Sequence, residues 1–270
     1  GHGGGSRLDG GLVGGVELMS SSINLEHLER MTVLTLNDPG RRNALTVEML
    51  AALCRILDEL ATRDDIDVVL LQGAGAAFCA GFDLGAIVEE PMTLQAMISG
   101  LGGTTRRMRS LPMPIIVAAH GAAIAGGCAI LSAADLSVLG DRTMAGYPVH
   151  RLGVSPAVTL PTLMQAIGEG PARTLALDGQ LYTGAEAHRR GLGTHLVAEE
   201  HVQTEGRRLC EHIIQHGSAA LRATKQWLGA LDGSGDETRW SGPIHGSEPL
   251  AGGAEAVERM EAFWAKRRDG

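Results

Sequence analysis

Apolar residues follow two different spacings along the first two thirds of the chain. Short unbroken apolar runs, which are typical of the buried strands of parallel sheets, lie at residues 31–36, 68–72, 115–119 and 136–140. Leucines recur every three or four positions through residues 47–61, which predicts an amphipathic helix. A buried helix is predicted over 125–134. The pattern therefore predicts an α/β core in which strands and helices alternate.

After about residue 173 the spacing becomes that of helices alone. The predicted helices cover residues 184–191, 201–217, 219–231 and 254–267. We therefore divide the chain into a core at 19–200 and a C-terminal helical region at 201–270. The glycine-rich residues 1–18 resemble a tag and linker, which we expect to be disordered, with Met19 as the native start.

Composition excludes several classes of protein. The net charge of the 270 residues is −8 and the basic residues are dispersed, so we expect no nucleic-acid partner. No apolar segment approaches the roughly 20 residues of a membrane helix, and we expect a cytoplasmic protein. The four cysteines have no Cys-x-x-Cys spacing, which predicts reduced packing residues and no metal site.

Two loops of the core consist largely of small residues. Residues 78–84 read Phe-Cys-Ala-Gly-Phe-Asp-Leu, and residues 120–130 read His-Gly-Ala-Ala-Ile-Ala-Gly-Gly-Cys-Ala-Ile. Small residues let the backbone approach a ligand, and the second loop leads into a predicted helix whose first N–H groups lack intrahelical acceptors. Two such N–H groups that converge on one carbonyl oxygen form an oxyanion hole.

Two other motifs do not support other enzyme classes. Residues 73–78 resemble a dinucleotide-binding loop, but Phe78 replaces the third glycine and no acidic residue ends a second strand about 20 residues on. Residues 153–157 approach a nucleophile elbow without its last glycine, and Pro156 lacks the N–H that an oxyanion hole needs there. A dehydrogenase and a serine hydrolase are therefore disfavoured.

The two loops, taken with three further segments, resemble the crotonase (enoyl-CoA hydratase/isomerase) superfamily over residues 23–268. The further segments are 37–45, 181–192 and 258–267. The resemblance implies a ββα spiral core with a C-terminal helical trimerisation region, although periodicity alone also allows an ordinary doubly wound sheet. It further implies an acyl-CoA substrate, with coenzyme A as part of the substrate rather than a separate cofactor, and a homotrimer or dimer of trimers.

The same resemblance assigns roles to individual residues. The N–H groups of Phe82 and Gly126 would bind the thioester oxygen, while Asp83 and Asp135 would fix loops. Coenzyme A would contact the backbone of two alanines and, at its nucleotide end, two side chains from a neighbouring subunit's last helix: Ala44, Ala80, Phe263 and Lys266.

The acid and base positions depart from the family pattern. Where its hydratases carry glutamates this chain has Ala129 and Val149, and a third position that is acidic in some members holds Ala157. Methyl and isopropyl groups cannot transfer protons, so we expect hydration to be slow. We choose His150 as the replacement because it directly follows Val149 and because imidazole exchanges protons near neutral pH. Other titratable candidates are Asp83, His120, Tyr147, Arg151 and His245.

Three functions remain open. The first is a lyase or isomerase that acts on a coenzyme A thioester through an enolate. The second is a non-catalytic acyl-CoA-binding scaffold that has lost its acid and base. The third is a hydrolase or decarboxylase on the same fold.

Overall fold

Two sheets form the centre of the molecule. The computed structural model describes residues 16–268 apart from positions 21, 91, 235 and 252. A seven-stranded sheet contains β1 (Val16–Ser20), β2 (Ile23–Leu28), β3 (Met31–Leu36), β4 (Val68–Gly73), β5 (Ile115–Ala119), β7 (Leu136–Gly140) and β10 (His195–Val197), in that spatial order. A three-stranded sheet contains β6 (Ala122–Ile124), β8 (Met144–Gly146) and β9 (Leu181–Tyr182).

The strands β3, β4, β5, β7 and β10 run parallel, and only β1 and β2 add antiparallel pairs to the large sheet. The chain passes from β5 to β6 and then into a helix, and it passes from β7 to β8 in the same way. The part of the chain that follows β4 also crosses from the large sheet to the small one, because Cys79 forms a parallel β-bridge with Ala123 of β6. This repeat confirms the ββα spiral, since a doubly wound protein has a single sheet.

Helices cover both faces of the large sheet. They are α1 (Val47–Ala61), α2 (Leu84–Glu89), α3 (Met92–Ser110), α4 (Gly126–Ala133), α5 (Leu160–Ile167), α6 (Glu169–Leu177), α7 (Gly184–Arg189), α8 (Val202–Ile213), α9 (Ser218–Asp232), α10 (Thr238–Ala251) and α11 (Ala254–Arg268). One hydrophobic cluster joins the sheet to α1, α3 and α4, and a second joins its other face to α8. Burial on both faces explains why the strands are continuous apolar runs.

The individual strands and helices predicted from the apolar pattern are confirmed to within a few residues, and α1 has the bounds that were predicted. The prediction of helices alone after residue 173 is wrong, because the short strands β9 and β10 lie there and join the two sheets. The first strand begins at Val16, so it includes the last three residues of the predicted linker. Residues 1–15 lie outside the described part of the chain. The division at residue 200 stays a prediction.

The C-terminal helices attach to the core through a buried lysine. Lys225 of α9 donates hydrogen bonds to Asp135 Oδ2 at 2.7 Å and to the carbonyl oxygens of Met108 and Met113 at 3.1 and 2.9 Å. Burial lowers the pKa of Lys225, and the Asp135 carboxylate opposes that shift. Asp135 also accepts the Ile115 N–H at 2.8 Å. It therefore fixes the start of β5, in agreement with its predicted loop-fixing role.

Candidate active site

Three loops lie side by side at the carboxyl ends of the parallel strands. Ala80 N–H donates to Arg42 O at 3.1 Å, and Leu45 N–H donates to Gly81 O at 2.7 Å. The buried Asn43 side chain ties the first loop to the second, because its amide donates to Ala77 O at 2.8 Å. The loop before α1 is thus fixed against the loop after β4.

The loop after β4 is also fixed to the start of α4. Cys79 N–H donates to Ala122 O at 2.8 Å, and Ile124 N–H donates to Cys79 O at 3.0 Å. Ala125 N–H then donates to Gly146 O at 2.8 Å, which joins this pair of loops to the end of β8. Backbone hydrogen bonds therefore determine how close the two predicted donor residues lie.

The N–H groups of Phe82 and Gly126 are both free of acceptors within the described chain. Phe82 forms a parallel β-bridge with Leu45, and the hydrogen bonds of this bridge are made by Gly81 O and Asp83 N–H. The N–H of Phe82 therefore points away from the bridge. Gly126 is the first residue of α4, where N–H groups have no intrahelical acceptor. Gly81 and Ala125, which precede them, have φ angles of 100° and 50°. Positive φ is strained for alanine, and such strain concentrates at functional sites.

Phe82 and Gly126 both line a cavity of about 720 Å³, a volume typical of small-molecule sites. Most of its wall is apolar and comes from α2, α3 and the segment that follows β8. The apolar wall residues in these segments are Leu84, Ile87, Leu94, Ile98, Leu101, Val149, Leu152, Val154 and Val158. Two N–H donors at one wall of an apolar cavity can polarise a carbonyl group there, because the low dielectric strengthens the hydrogen bonds.

The carboxylates available to this cavity are few. Asp83 is the only acidic residue among the described residues that line it. One of its oxygens accepts from Arg41 at 2.7 Å and the other caps α2 through Gly85 N–H at 3.0 Å. The hydrogen bond that Arg41 donates to the Asp38 carboxylate, with the further negative charge of Asp83, raises the pKa of Arg41. Asp83 thus fixes its loop, in agreement with its predicted role, and both of its oxygens already accept a hydrogen bond from the protein.

The predicted coenzyme A contacts are partly brought together. Ala44 and Ala80 line the cavity, and so does Phe263. Phe263 does so from α11 of the same chain, and the predicted contact from a neighbouring subunit's last helix stays a prediction. Gly153 lets α11 approach, because its φ is 68° and Ala256 Cα lies only 2.8 Å from an ideal Cβ position. The side chain of Lys266 lies outside the described part of the structure.

His150, by contrast, is not brought to the site. It lies in a 3-10 turn over Pro148–Leu152, where Val149 faces the cavity and His150 is exposed on the outside. Its Nδ1 lies 3.8 Å from an ideal Cβ at Gly179. The geometry therefore gives no support to His150 as the base. His120 and His245 do not line the cavity either.

Two of the other titratable candidates, Tyr147 and Arg151, do line the cavity, and Tyr147 is the buried one. It is fully buried, and its hydroxyl has no hydrogen-bond partner in the described structure. Burial raises the pKa of Tyr147 well above its ordinary value of 10, so the phenol stays protonated. Burial likewise raises the pKa of Cys79 and Cys128 to about 12, which favours the neutral thiols expected of packing residues.

Comparisons with known proteins agree with this fold. The sequence profile of the enoyl-CoA hydratase/isomerase family matches residues 26–233. An enoyl-CoA hydratase of Mycobacterium tuberculosis is 33% identical over 197 residues, which cover 71% of this chain and 74% of the relative. The 2,3-dehydroadipyl-CoA hydratase of Escherichia coli is 29% identical over 211 residues, covering 77% and 82%.

A solved structure extends the agreement to three dimensions. The enoyl-CoA hydratase/isomerase of Xanthobacter autotrophicus superposes with a TM-score of 0.82 at 28% identity, covering 93% of this chain and 94% of that one. The chain therefore belongs to the enoyl-CoA hydratase/isomerase family, a family of lyases and isomerases. In the described residues no helix has the length and apolar character needed to cross a membrane.

Proposed function

We propose that the protein binds an acyl-CoA thioester and stabilises negative charge on the thioester oxygen with the N–H groups of Phe82 and Gly126. The observation that carries this proposal is the pair of N–H groups without acceptors at one wall of a largely apolar cavity. Each donor of this kind contributes about 3 to 4 kcal/mol to a transition state. Charge develops on the same oxygen whenever an enolate forms next to a thioester.

The backbone near Ala44 and Ala80 would contact the coenzyme A chain, and Phe263 would cover it. Coenzyme A would enter as part of the substrate, with no separate cofactor. Arg42 also lines this wall and is exposed, so it can pair with a phosphate. Lys266 stays a proposed contact with the nucleotide end.

The proposed chemistry proceeds through an enolate, as in lyases and isomerases. Hydration requires one group to deprotonate water and another to protonate the α-carbon. General acid–base catalysis of this kind accelerates a reaction by about 10²- to 10⁴-fold. Val149, which the family resemblance places at a glutamate position of the hydratases, lines the cavity, and both oxygens of Asp83 accept hydrogen bonds from the protein. We therefore do not assign hydration.

Two features support the proposed assembly and location. Trp227, Leu228 and Leu231 on α9 are 68%, 57% and 82% exposed, which favours association into a homotrimer or a dimer of trimers. The cysteines in the described structure are free thiols, which supports a cytoplasmic location.

Calorimetric titration tests the proposed function. The protein is expected to bind short and medium acyl-CoA thioesters more tightly than the corresponding free acids, because the acids lack both coenzyme A and the thioester carbonyl. Mass spectrometry of the same mixtures then detects conversion. Equal and negligible binding of thioesters and acids would contradict the proposal. Tight binding without conversion of any thioester would instead favour the scaffold function.

A further inference from the structure

A negatively charged side chain lies beside one of the two proposed oxygen-binding N–H groups. Asp83 directly follows Phe82 in the chain, and both residues line the cavity. The side chain of Asp83 is only 15% exposed, so solvent ions screen its charge incompletely. A carboxylate at this position repels the negative charge that would develop on a thioester oxygen, and the apolar wall strengthens that repulsion. A positive charge close to Asp83 therefore favours the anion.

Arg41 supplies that positive charge. It is the last residue of a 3-10 turn over Pro39–Arg41, in the loop before α1, and it lines the same cavity as Asp83. Its Nη1 donates a hydrogen bond to Asp83 Oδ2 at 2.7 Å. Among the residues that the structure describes, Arg41 is the only cation in an ion pair with Asp83. The charge of this carboxylate is therefore compensated from the neighbouring loop.

A second carboxylate, that of Asp38, orients the Arg41 guanidinium. Asp38 Oδ2 accepts from Arg41 Nε at 2.7 Å and lies 2.6 Å from Nη2. Because the guanidinium is planar and rigid, fixing two of its nitrogens also fixes the third, Nη1, which is the one that contacts Asp83. Asp38 is not among the described residues that line the cavity. It therefore orients Arg41 without adding a negative charge to the cavity wall.

The charge of this ion pair can be changed without changing the backbone around it. Leu45 N–H donates to Gly81 O, and Asp83 N–H donates to Leu45 O, so the donor loop is fixed by bonds that do not involve Arg41. Asp83 also caps α2 through Gly85 N–H, and an asparagine can make the same cap. The Arg41 side chain is 57% exposed, and ion pairs this exposed contribute little to folding stability.

We propose that Arg41 is a positioning residue of the oxygen-binding site, which holds and neutralises the Asp83 carboxylate so that negative charge can develop on the thioester oxygen beside Phe82. This proposal rests on the proposed function, because it needs the thioester oxygen at the N–H groups of Phe82 and Gly126. Arg41 acts through Asp83 and not by contact with the reacting atoms. Its loss is therefore expected to weaken the polarisation of the carbonyl group while the two N–H donors stay in place.

Infrared difference spectroscopy of butyryl-CoA labelled with ¹³C at the thioester carbonyl tests this proposal. The C=O stretching frequency is a property of the bound ligand, so a change in affinity alone does not alter it. The wild-type protein is expected to lower this frequency relative to water, and Arg41→Met is expected to reverse part of that decrease. Adding Asp83→Asn to Arg41→Met should restore the wild-type decrease, because the uncompensated carboxylate is then gone. Circular dichroism checks that each variant is folded.

The matched control is Arg63→Met. Arg63 forms an ion pair of the same kind with Asp65, with two N–H···O distances of 2.6 Å, and it is not among the residues that line the cavity. The substitution removes the same charge from the protein, and it should leave the wild-type frequency unchanged. An effect as large as that of Arg41→Met would show that net charge alone is responsible, which overturns the proposal.

The other outcomes separate this inference from the proposed function. A wild-type frequency in folded Arg41→Met overturns the role of Arg41 but leaves the proposed function standing. A loss in Arg41→Met that Asp83→Asn does not restore overturns it as well. If Arg41→Met does not fold, Asp83→Asn alone decides the question, because it should keep at least the wild-type decrease and a smaller decrease overturns the proposal. No decrease in the wild-type protein contradicts the proposed function itself, and the role of Arg41 with it.

Discussion

Gly81→Ala tests whether the backbone conformation before Phe82 positions the proposed oxygen-binding N–H. Gly81 has φ = 100°, where an alanine is strained by about 1 to 3 kcal/mol. An added Cβ would also lie 3.2 Å from Ile124 O and 3.5 Å from Ala125 Cβ. Backbone hydrogen bonds hold both sides of this contact, since Ile124 N–H donates to Cys79 O and Gly81 O accepts from Leu45 N–H. The unfavourable φ lies at residue 81 itself, so we expect the Gly81–Phe82 peptide to move.

The expected result is a double effect. The free energy of unfolding should fall by about 1 to 3 kcal/mol, measured by urea denaturation. Mass spectrometry of the titration mixtures identifies the acyl-CoA that is converted. Turnover of that acyl-CoA should fall by up to about 10²- to 10³-fold, which is the effect of losing one donor. The control is Gly168→Ala, which has a φ of 80° but no atom within 4 Å of the new Cβ and lies away from the cavity.

Gly168→Ala should therefore lose stability without losing turnover. If folded Gly81→Ala turns over at nearly the wild-type rate, the Phe82 N–H does not act as we propose. If both variants lose turnover alike, the loss reflects general destabilisation.

Further predictions concern hydration, buried polar groups and alkaline pH. Hydration of a short 2-enoyl-CoA, followed by loss of its ultraviolet absorbance, should be slow or undetectable, and turnover in the ordinary range of about 1 to 10³ s⁻¹ would show that another group replaces the glutamates. Tyr147→Phe should raise the free energy of unfolding by up to about 1 kcal/mol, because it removes an unpaired buried hydroxyl, whereas a decrease would reveal a partner for that hydroxyl. Lys225→Met should cost about 3 to 5 kcal/mol in chemical denaturation, because Asp135 loses its cation in a site where it is only 20% exposed, and a cost below 1 kcal/mol would refute this. Unfolded thiols ionise near pH 9, but burial holds the pKa of Cys79 and Cys128 near 12 in the folded state, so stability should be complete below pH 9 and fall between pH 9 and 12. Denaturation midpoints that are equal at pH 8 and pH 10.5 would contradict this ionisation argument.

The sequence predicted elements well where local pattern and burial agree. The helix α1 shows this, because its leucine spacing is reinforced by Thr46, whose side chain accepts from Met49 N–H at 3.1 Å. The helix α3 was not predicted, since Gly100, Gly102 and Gly103 weaken its helical signal. Gly102 is needed for packing, because an added Cβ would lie 2.6 Å from Ile244 Cδ1 of α10.

The backbone N–H donors of the candidate active site could be predicted from the sequence, whereas the positions of its side chains could not. The small residues around Phe82 and Gly126 indicated donors, but nothing in the sequence indicates that Ala125 takes a φ of 50°. His150 was chosen because it is next to Val149, yet neighbouring residues of the 3-10 turn face different ways. Whether a buried hydroxyl is paired depends on tertiary packing, which a single sequence does not report.

The central claim is that the two free N–H groups polarise a thioester carbonyl. Infrared difference spectroscopy of butyryl-CoA labelled with ¹³C at the thioester carbonyl measures this directly and needs no turnover. Hydrogen bonds in a site of low dielectric weaken the C=O bond. We predict a lower stretching frequency for the bound thioester than for the same thioester in water, with a smaller decrease in Gly81→Ala. A bound frequency equal to or above the value in water would contradict the account.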